Sequence, residues 1–296
     1  MTKPTLATVS LGGCEGCHVS LLDAHEGLLG LLDAAQLVYS PFSGPSEIPD
    51  HVDVVMVEGA VTSDEDLRRL HAARAAGTTL VAVGSCAVLG GIGGLRNLSR
   101  LTDVMAAAFG RDAEKSELLP ALQRRVHAIT DFVDADIIVP GCAPHTDKIV
   151  DALTAALTGQ PYELPRRNLC DECHRVKDAM LKHSEEFVSD SVVALMELEV
   201  IDPERCFLEQ GVLCMGPMTR EGCGAECTAA NVPCRGCMGP SRLDFEQGGK
   251  TVDALAAVLP AGALMYLEDL VGTGYRFSLP VSVFPAIYDH EESSDV

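Results

Sequence analysis

The stretch ATVSLGGCEGCHVSLLD (residues 7–23) joins three patterns that together indicate a parallel α/β fold. It begins as an apolar, strand-like run, passes through a loop of glycines and cysteines, and continues with apolar residues at helical spacing. We predict a strand over residues 5–10 and a helix from His18 to Leu32. The same alternation continues along the chain, with strands predicted at residues 37–39, 53–59, 79–83 and 136–140, and helices at residues 64–77 and 145–157.

Alternating strands and helices of this length predict a parallel sheet with helices on both faces. We therefore expect residues 1–158 to form a flavodoxin-like, doubly wound domain. Residues 159–296 hold many glycines, prolines and cysteines and little strand periodicity, so we expect an irregular, mostly helical second domain. Helices are predicted there from His174 to Val188 and from Thr251 to Val258.

Composition limits the classes of partner. The chain has 296 residues, of which 43 are acidic and 22 basic, for a net charge of −21. The negative electrostatic field of such a chain disfavours binding to nucleic acid and to anionic membrane surfaces. The aromatic content of 4%, without tryptophan, also argues against surfaces on which bases stack.

The longest uncharged run, Ala75 to Leu95, has the length of a membrane span, but it contains six glycines. It is typical of a strand followed by a glycine-rich loop, so we predict no transmembrane segment. Nothing at the amino terminus resembles an export signal. We therefore expect a cytoplasmic protein.

Twelve cysteines need an explanation in such a protein, because the cytosol keeps thiols reduced. Four of them follow predicted strands of the first domain: Cys14 and Cys17, Cys86, and Cys142. The carboxyl ends of parallel strands open on one edge of the sheet, so these four thiols should converge there. Four thiolates satisfy one Zn²⁺ or one four-iron, four-sulfur cluster.

Other interpretations remain open at this point. A redox-active dithiol would explain Cys14 and Cys17 but not Cys86 and Cys142. Structural zinc usually draws its ligands from close local pairs rather than from three distant strand ends. Disulfides would fit an even number of cysteines, although a chain of this size does not need them.

Four segments of the first domain resemble the small, electron-transferring subunit of [NiFe] hydrogenases: GGCEGCHVSLLD (12–23), VEGAV (57–61), VGSCAVLGG (83–91) and PGCAPH (140–145). The sequences of these segments are most similar to those of cytoplasmic, NAD-linked (group 3) members. The resemblance implies that Cys14, Cys17, Cys86 and Cys142 hold a proximal [4Fe-4S] cluster. We call these four residues the proximal set.

The second domain extends the resemblance through RCFLEQGVLCMGPMTREGCGAEC (205–227) and NVPCRGCMGP (231–240). With four thiolates for each cluster, twelve cysteines imply three [4Fe-4S] clusters. The family pattern assigns the distal set to Cys170, Cys173, Cys206 and Cys214. It assigns the medial set to Cys223, Cys227, Cys234 and Cys237.

The chain departs from many family members at two positions. They have histidine where this chain has Cys170, and many lack a cysteine at the position of Cys227. Full thiolate ligation adds negative charge around a cluster and should lower its reduction potential. His174, next to Cys173, is an alternative ligand to Cys170.

Three polar residues near the proximal set are also singled out. Glu58 ends a buried strand, and we predict that it acts beside the proximal site or at a subunit interface. Glu15, between two predicted ligands, is expected to face a partner. His18 is expected to be a structural hydrogen-bond donor.

The chain has no catalytic constellation or phosphate-binding loop of its own. The resemblance implies that it relays electrons between the Ni–Fe site of a partner large subunit and an external acceptor protein. A flavin-containing NAD(P) diaphorase module is the first expectation for the acceptor, before ferredoxin, F420 or viologen, and before quinone. The alternatives are a hydrogen-sensing subunit, a zinc-stabilised interaction module, and the cluster-bearing small subunit of respiratory complex I, to which the first domain is also similar.

Overall fold

A computed structural model of the chain describes residues 3–42, 47–110, 120–177, 201–242, 246–258, 267 and 269–284. The chain divides into two compact units. The first comprises the described residues up to Leu164 together with those from Phe277 onward, and the second extends from Pro165 to Arg276. The domain boundary expected after residue 158 stays a prediction. The two units are defined by their internal contacts, which do not show whether either unit folds independently.

The first unit is an α/β structure that alternates strands and helices. Its strands are β1 (Thr5–Ser10), β2 (Gln36–Tyr39), β3 (Val52–Glu58), β4 (Val61–Ser63), β5 (Gly77–Val83), β6 (Leu122–His127) and β7 (Ile137–Val139). Its helices are α1 (Gly16–Leu22), α2 (Glu26–Ala34), α3 (Asp64–Ala76), α4 (Gly84–Leu89), α5 (Leu101–Phe109) and α6 (Thr146–Thr158).

Five parallel strands form the main sheet in the order β2-β1-β3-β5-β7. Counted along the sheet's own strands, this is the 2-1-3-4-5 order of flavodoxin-like folds, so the predicted fold class is confirmed. The strands end in register, because Ser10 pairs with Glu58, Glu58 with Val83, and Val83 with Val139. The segments that follow these strands therefore start from one edge of the sheet.

The sheet is buried on both faces because its strands are almost continuously apolar. On β3, Val55 and Val57 belong to one buried cluster, whereas Val54 and Met56 belong to the cluster on the opposite face. The side chains of β1 and β5 alternate in the same way. This two-sided core fixes the strand ends that carry the cysteines.

One helix predicted in the first unit differs from the structure. Ser63 caps α3 and forms a capping box with Asp66. The single helix predicted from His18 to Leu32 is wrong, because the chain forms α1 and α2 instead. The amide of Ala24 donates to the carbonyl of Leu21, and His25 has a φ of 47°, which interrupts the helix.

The second unit contains little regular structure in its described part. Its α-helices there are α7 (Glu226–Ala229), α8 (Gln247–Val258) and α9 (Leu270–Gly274). Short 3₁₀ turns at Leu169–Asp171, Phe207–Gln210 and Gly216–Met218 connect extended segments. Its buried cluster includes Phe207, Leu208 and Leu255 together with Cys214 and Cys234.

The helix predicted from His174 to Val188 is wrong in its described part. Residues 174–177 are extended, and Val176 exchanges backbone hydrogen bonds with Glu204 and Cys206 at 2.7 and 2.9 Å. Residues 178–188 lie outside the described residues. Among the helices that the structure describes, none combines the length and the apolar character needed to cross a membrane.

Candidate metal centres

The proximal set lies at the carboxyl edge of the sheet. Cys14 and Cys17 follow β1, with Cys17 on α1, while Cys86 lies on α4 directly after β5, and Cys142 follows β7. Since these strands end in register, their thiols come from three distant parts of the sequence to one place. None of the twelve cysteines, all of which the structure describes, forms a disulfide bond.

The thiols of the proximal set influence one another, as expected for close neighbours. Burial raises the pKa of Cys86 to about 11, and Cys142 and Cys14 add to the rise. Burial also raises the pKa of Cys142, again with a contribution from Cys14. For Cys17, burial and then Glu58, Cys86 and Cys142 raise the pKa. Four neighbouring thiolates repel one another, so these cysteines need a cation or a metal in order to be deprotonated together.

Glycines leave the space that a four-thiolate centre requires. A Cβ atom on Gly84 would lie 2.3 Å from Cys17 Sγ, and one on Gly91 would lie 2.4 Å from Cys86 Sγ. Both glycines have positive φ angles, of 90° and 65°, which other residues rarely adopt. The donor set and this clearance fit a metal or an iron–sulfur cluster. Gly91 was not predicted from the sequence, although the repeated glycines after Cys86 were visible.

A polar network adjoins the proximal set. The Nδ1 atom of His18 lies 2.7 Å from Glu58 Oε1, and the amide of His18 donates to Glu58 Oε2 at 3.2 Å. Glu15 lies 3.6 Å from His18 and accepts from the hydroxyl of Ser10. The ligand atoms of Glu15, His18 and Glu58 lie within 4.8 Å of one another. Because His18 lies at ion-pair distance from both carboxylates and its amide donates to Glu58, we interpret the three residues as a polar network rather than a metal site.

This network keeps a carboxylate in the protein interior. Burial acts to raise the pKa of Glu58, but hydrogen bonds from His18 and Glu15 hold it below its ordinary value. Burial and the hydrogen bond to Glu58 raise the pKa of Glu15. The pair thus shifts the pKa of its two carboxyls in opposite directions, downward at Glu58 and upward at Glu15. The placement of Glu58 beside Cys17 agrees with the role predicted for it near the proximal site.

The distal set surrounds a cavity in the second unit. Cys170, Cys173, Cys206 and Cys214 all line this cavity, whose volume is about 420 Å³. Burial raises the pKa of Cys170 to about 12, and Cys214, Cys206 and Cys173 add to the rise. A Cβ atom on Gly216 would lie 3.4 Å from Cys170 Sγ and 3.6 Å from Cys214 Sγ. His174 is not among the lining residues, so the cavity favours Cys170 as the ligand.

The medial set also gathers in the second unit. Burial raises the pKa of Cys223, and Cys237 and Cys227 act on the same thiol. For Cys234, burial raises the pKa and both Cys214 and Cys237 contribute. Cys234 therefore adjoins the distal set as well as the medial set. Its carbonyl also accepts from the amide of Met215, the residue after Cys214, at 3.0 Å.

Several residues beside these sets were not identified from the sequence. The carboxylate of Glu172 accepts from the amides of Gly222 and Gly224 at 2.7 and 3.1 Å. Arg175 and Lys177 line the cavity of the distal set. Spacing patterns of metal ligands do not reveal such residues, because they contact the loops and walls of a site rather than the metal.

Comparison with known proteins extends over nearly the whole chain. The family model for the 20 kDa subunit of NADH:ubiquinone oxidoreductase matches residues 14–156. A subunit of the F420-non-reducing hydrogenase vhu of Methanocaldococcus jannaschii is 37% identical over 279 residues, which cover 92% of this chain and 93% of that protein.

Two further similarities cover about half of the chain. The delta subunit of the NAD-reducing hydrogenase HoxS of Cupriavidus necator is 34% identical, over 55% of this chain and 83% of that protein. A crystal structure of an NAD⁺-reducing [NiFe]-hydrogenase in the H2-reduced state superimposes with a TM-score of 0.51. Its matched chain is 34% identical, and the match covers 55% of this chain and 96% of that one.

Proposed function

The chain belongs to the family of [NiFe] hydrogenase small subunits, and from this premise we propose that it relays electrons through three [4Fe-4S] clusters. The relay connects the Ni–Fe site of a partner large subunit with an external acceptor protein. The observation that supports the proposal is a set of twelve cysteines outside disulfide bonds whose thiols act on one another: Cys86 with Cys14 and Cys142, Cys170 with Cys173, Cys206 and Cys214, and Cys223 with Cys227 and Cys237. When bound, the clusters supply one-electron redox chemistry.

Each group of thiols is assigned one cluster. The proximal set comprises Cys14, Cys17, Cys86 and Cys142; the medial set comprises Cys223, Cys227, Cys234 and Cys237; the distal set comprises Cys170, Cys173, Cys206 and Cys214. The surrounding residues exclude water, since Met215, Met218 and Phe207 are buried in the second unit. Such burial is one of the means by which a protein adjusts a cluster's reduction potential.

An exposed apolar surface supports a large-subunit partner at the proximal site. Val19 and Leu22 on α1 have exposed fractions of 53% and 57%, and Leu29 on α2 is exposed to 63%. Cys14, immediately before α1, is itself exposed. Apolar side chains next to an exposed cluster ligand are typical of a surface that a partner protein covers.

The comparisons also bear on the acceptor protein. The relative whose name states that it reduces NAD aligns with 55% of this chain, whereas the relative aligned with 92% is named F420-non-reducing. The NAD-reducing relative thus covers less of the chain than the F420-non-reducing one. A flavin/NAD(P) diaphorase module is therefore less strongly supported than the sequence motifs indicated, and F420 is disfavoured. We retain an electron-accepting protein as the partner.

A complex I subunit is a weaker alternative. The family model of that subunit ends at residue 156, while the medial and distal sets lie beyond it. A cytoplasmic location completes the proposal, because free thiols persist in a reducing compartment.

The test is to measure iron, acid-labile sulfide and zinc in anaerobically purified protein. Three clusters predict about twelve irons and about twelve sulfides per chain. About four irons would show that only one set binds a cluster, which would overturn the relay. Zinc without iron would overturn electron transfer altogether.

A further inference from the structure

The cavity of the distal set has an unusual charge for this chain. Apart from its cysteines, its lining includes two ionisable side chains, Arg175 and Lys177, and both are cationic. Among the described residues that line the cavity there is no aspartate or glutamate, although acidic residues outnumber basic ones in the sequence by 43 to 22. The charged side chains that line this cavity are therefore opposite in sign to the net charge of the protein. Burial and then Glu209 raise the pKa of Cys206, but Glu209 is outside this lining and pairs with Arg205 at 3.6 Å.

Arg175 is a buried cation, with an exposed fraction of 8%. Its guanidinium donates to the carbonyls of Asp202 and Arg205 at 2.8 Å, to that of Thr228 at 3.2 Å, and to the side-chain oxygen of Asn231. It also lies 3.8 Å from the centre of the Phe207 ring. Within the part of the chain that the structure describes, no carboxylate forms an ion pair with it.

A buried cation with only neutral partners is costly, because its charge has lost the solvation of water. Because Arg175 lines the cavity, an anionic centre held there by four thiolates would compensate its charge. Lys177 is exposed, and its positive charge opposes the rise in the pKa of Cys170 and Cys206.

The proximal set has the opposite environment. Glu58 is 2% exposed and raises the pKa of Cys17 and Cys86, as a nearby negative charge does. Glu15 and His18 are its hydrogen-bond partners, and no lysine or arginine belongs to this described network. Each electron that enters a cluster adds one negative charge. A neighbouring carboxylate therefore destabilises the reduced state, and a neighbouring cation stabilises it.

We propose that these opposite local charges bias electron flow from the proximal set toward the distal set, so that the chain favours H2 oxidation over H2 evolution. The inference rests on the proposed relay and adds its direction. H2 gives two electrons and two protons at the large subunit. The electrons pass one at a time along the chain, each leaving to an oxidised acceptor, and the protons do not enter the relay.

The experiment compares K177Q with K250Q in the complete complex with the large subunit. Lys250 lies on α8 of the same unit, pairs with Asp253 at 3.8 Å, and does not line the cavity. K250Q therefore removes the same single positive charge as K177Q, but away from the cavity. The midpoint potentials of all clusters are measured by anaerobic redox titration followed by EPR. A Cys170→Ser variant changes the distal signal and so identifies it.

In the wild type, the distal cluster should have a higher potential than the proximal cluster. K177Q should weaken the preference of the distal site for its reduced state by up to about tenfold, which is a downward shift of about 59 mV for a one-electron couple. The proximal and medial potentials should not move, and K250Q should shift none. With viologen as the common mediator, K177Q should also lower the ratio of H2 oxidation to H2 evolution.

Arg175 provides a second comparison. R175K keeps the charge and should keep the distal potential, whereas R175M should lower it. If R175M does not load its clusters, K177Q alone decides. A distal potential that K177Q leaves unchanged, an equal shift in K250Q, or a proximal potential above the distal one would overturn the inference. A wild type without clusters would instead overturn the proposed relay itself.

Discussion

Glu172 connects the ligand segments of two different cysteine sets. It lies between Cys170 and Cys173 in the sequence, yet its carboxylate accepts from the amides on both sides of Cys223. Gly222 and Gly224, which supply these amides, have φ angles of 117° and 66°. The side chain of Glu172 thus holds the loop that presents Cys223, which we propose as a ligand of the medial cluster.

We expect E172A to misplace Cys223 and to leave a three-iron cluster in the medial site. Hydrogen bonds to a charged group contribute about 1.5–3 kcal/mol, so the loop should lose that stabilisation. EPR of the oxidised protein should then show the signal of a three-iron cluster, with about one iron fewer per chain.

The matched control is D171A, which removes the neighbouring carboxylate but neither hydrogen bond. E172Q, which keeps one accepting oxygen, should restore part of the four-iron content. An E172A protein whose EPR spectrum and iron content equal those of the wild type would show that Glu172 does not position Cys223.

At the scale of elements, the junction between β5 and α4 sets the proximal site. Val83 ends the strand, Gly84 turns the chain with a φ of 90°, and Cys86 follows two residues after that glycine. The same glycine leaves room for Cys17 Sγ, which would lie 2.3 Å from its Cβ. One backbone position thus serves both the turn and the packing of a ligand.

We expect G84A to disrupt the proximal set. Overpacking costs about 1–3 kcal/mol, and the positive φ adds strain. The purified protein should lose about four irons per chain. G93A is the control, because a Cβ atom on Gly93 meets no heavy atom within 4 Å. G93A should retain the full iron content, and an equal loss in both variants would contradict this account of Gly84.

The sheet and the proximal cysteines were predictable because buried parallel strands have an apolar signature and end at one edge. Arg175 and Lys177 were not, because the sequence pattern favoured a helix from His174. In a helix, residues two positions apart point in different directions, whereas in an extended chain they point to the same side. The extended segment at residues 174–177 therefore brings both cations to the cavity, which periodicity could not show.

At the scale of the whole molecule, the two units differ in how far their cysteines belong to the core. The first unit has a two-sided sheet core of aliphatic residues. The described core of the second unit includes Cys214 and Cys234, with Cys173, Cys206 and Cys223 packed against it. Where cysteines form part of the core, the binding of a metal centre by these cysteines contributes directly to folding.

We expect anaerobic removal of iron by a chelator to unfold the second unit before the first. Hydrogen exchange measured by mass spectrometry should show lost protection in residues 201–242, while the amides of β3 and β5 stay protected. Restoring iron and sulfide should return the protection. Equal loss in both units would show that the second unit does not depend more strongly on its clusters.

The return of the chain to the first unit has a consequence for assembly. The amide of Gly91 donates to the carbonyl of Phe277 at 3.1 Å, and Pro280 occupies the space beside Gly90 and Gly94. Before the proposed clusters bind, the second unit is therefore a loop whose two ends are both held by the first unit. Loop-closure entropy grows only slowly with length, by about 0.6 kcal/mol for each doubling. The first unit can thus fold early and retain the unfilled segment until iron and sulfide arrive.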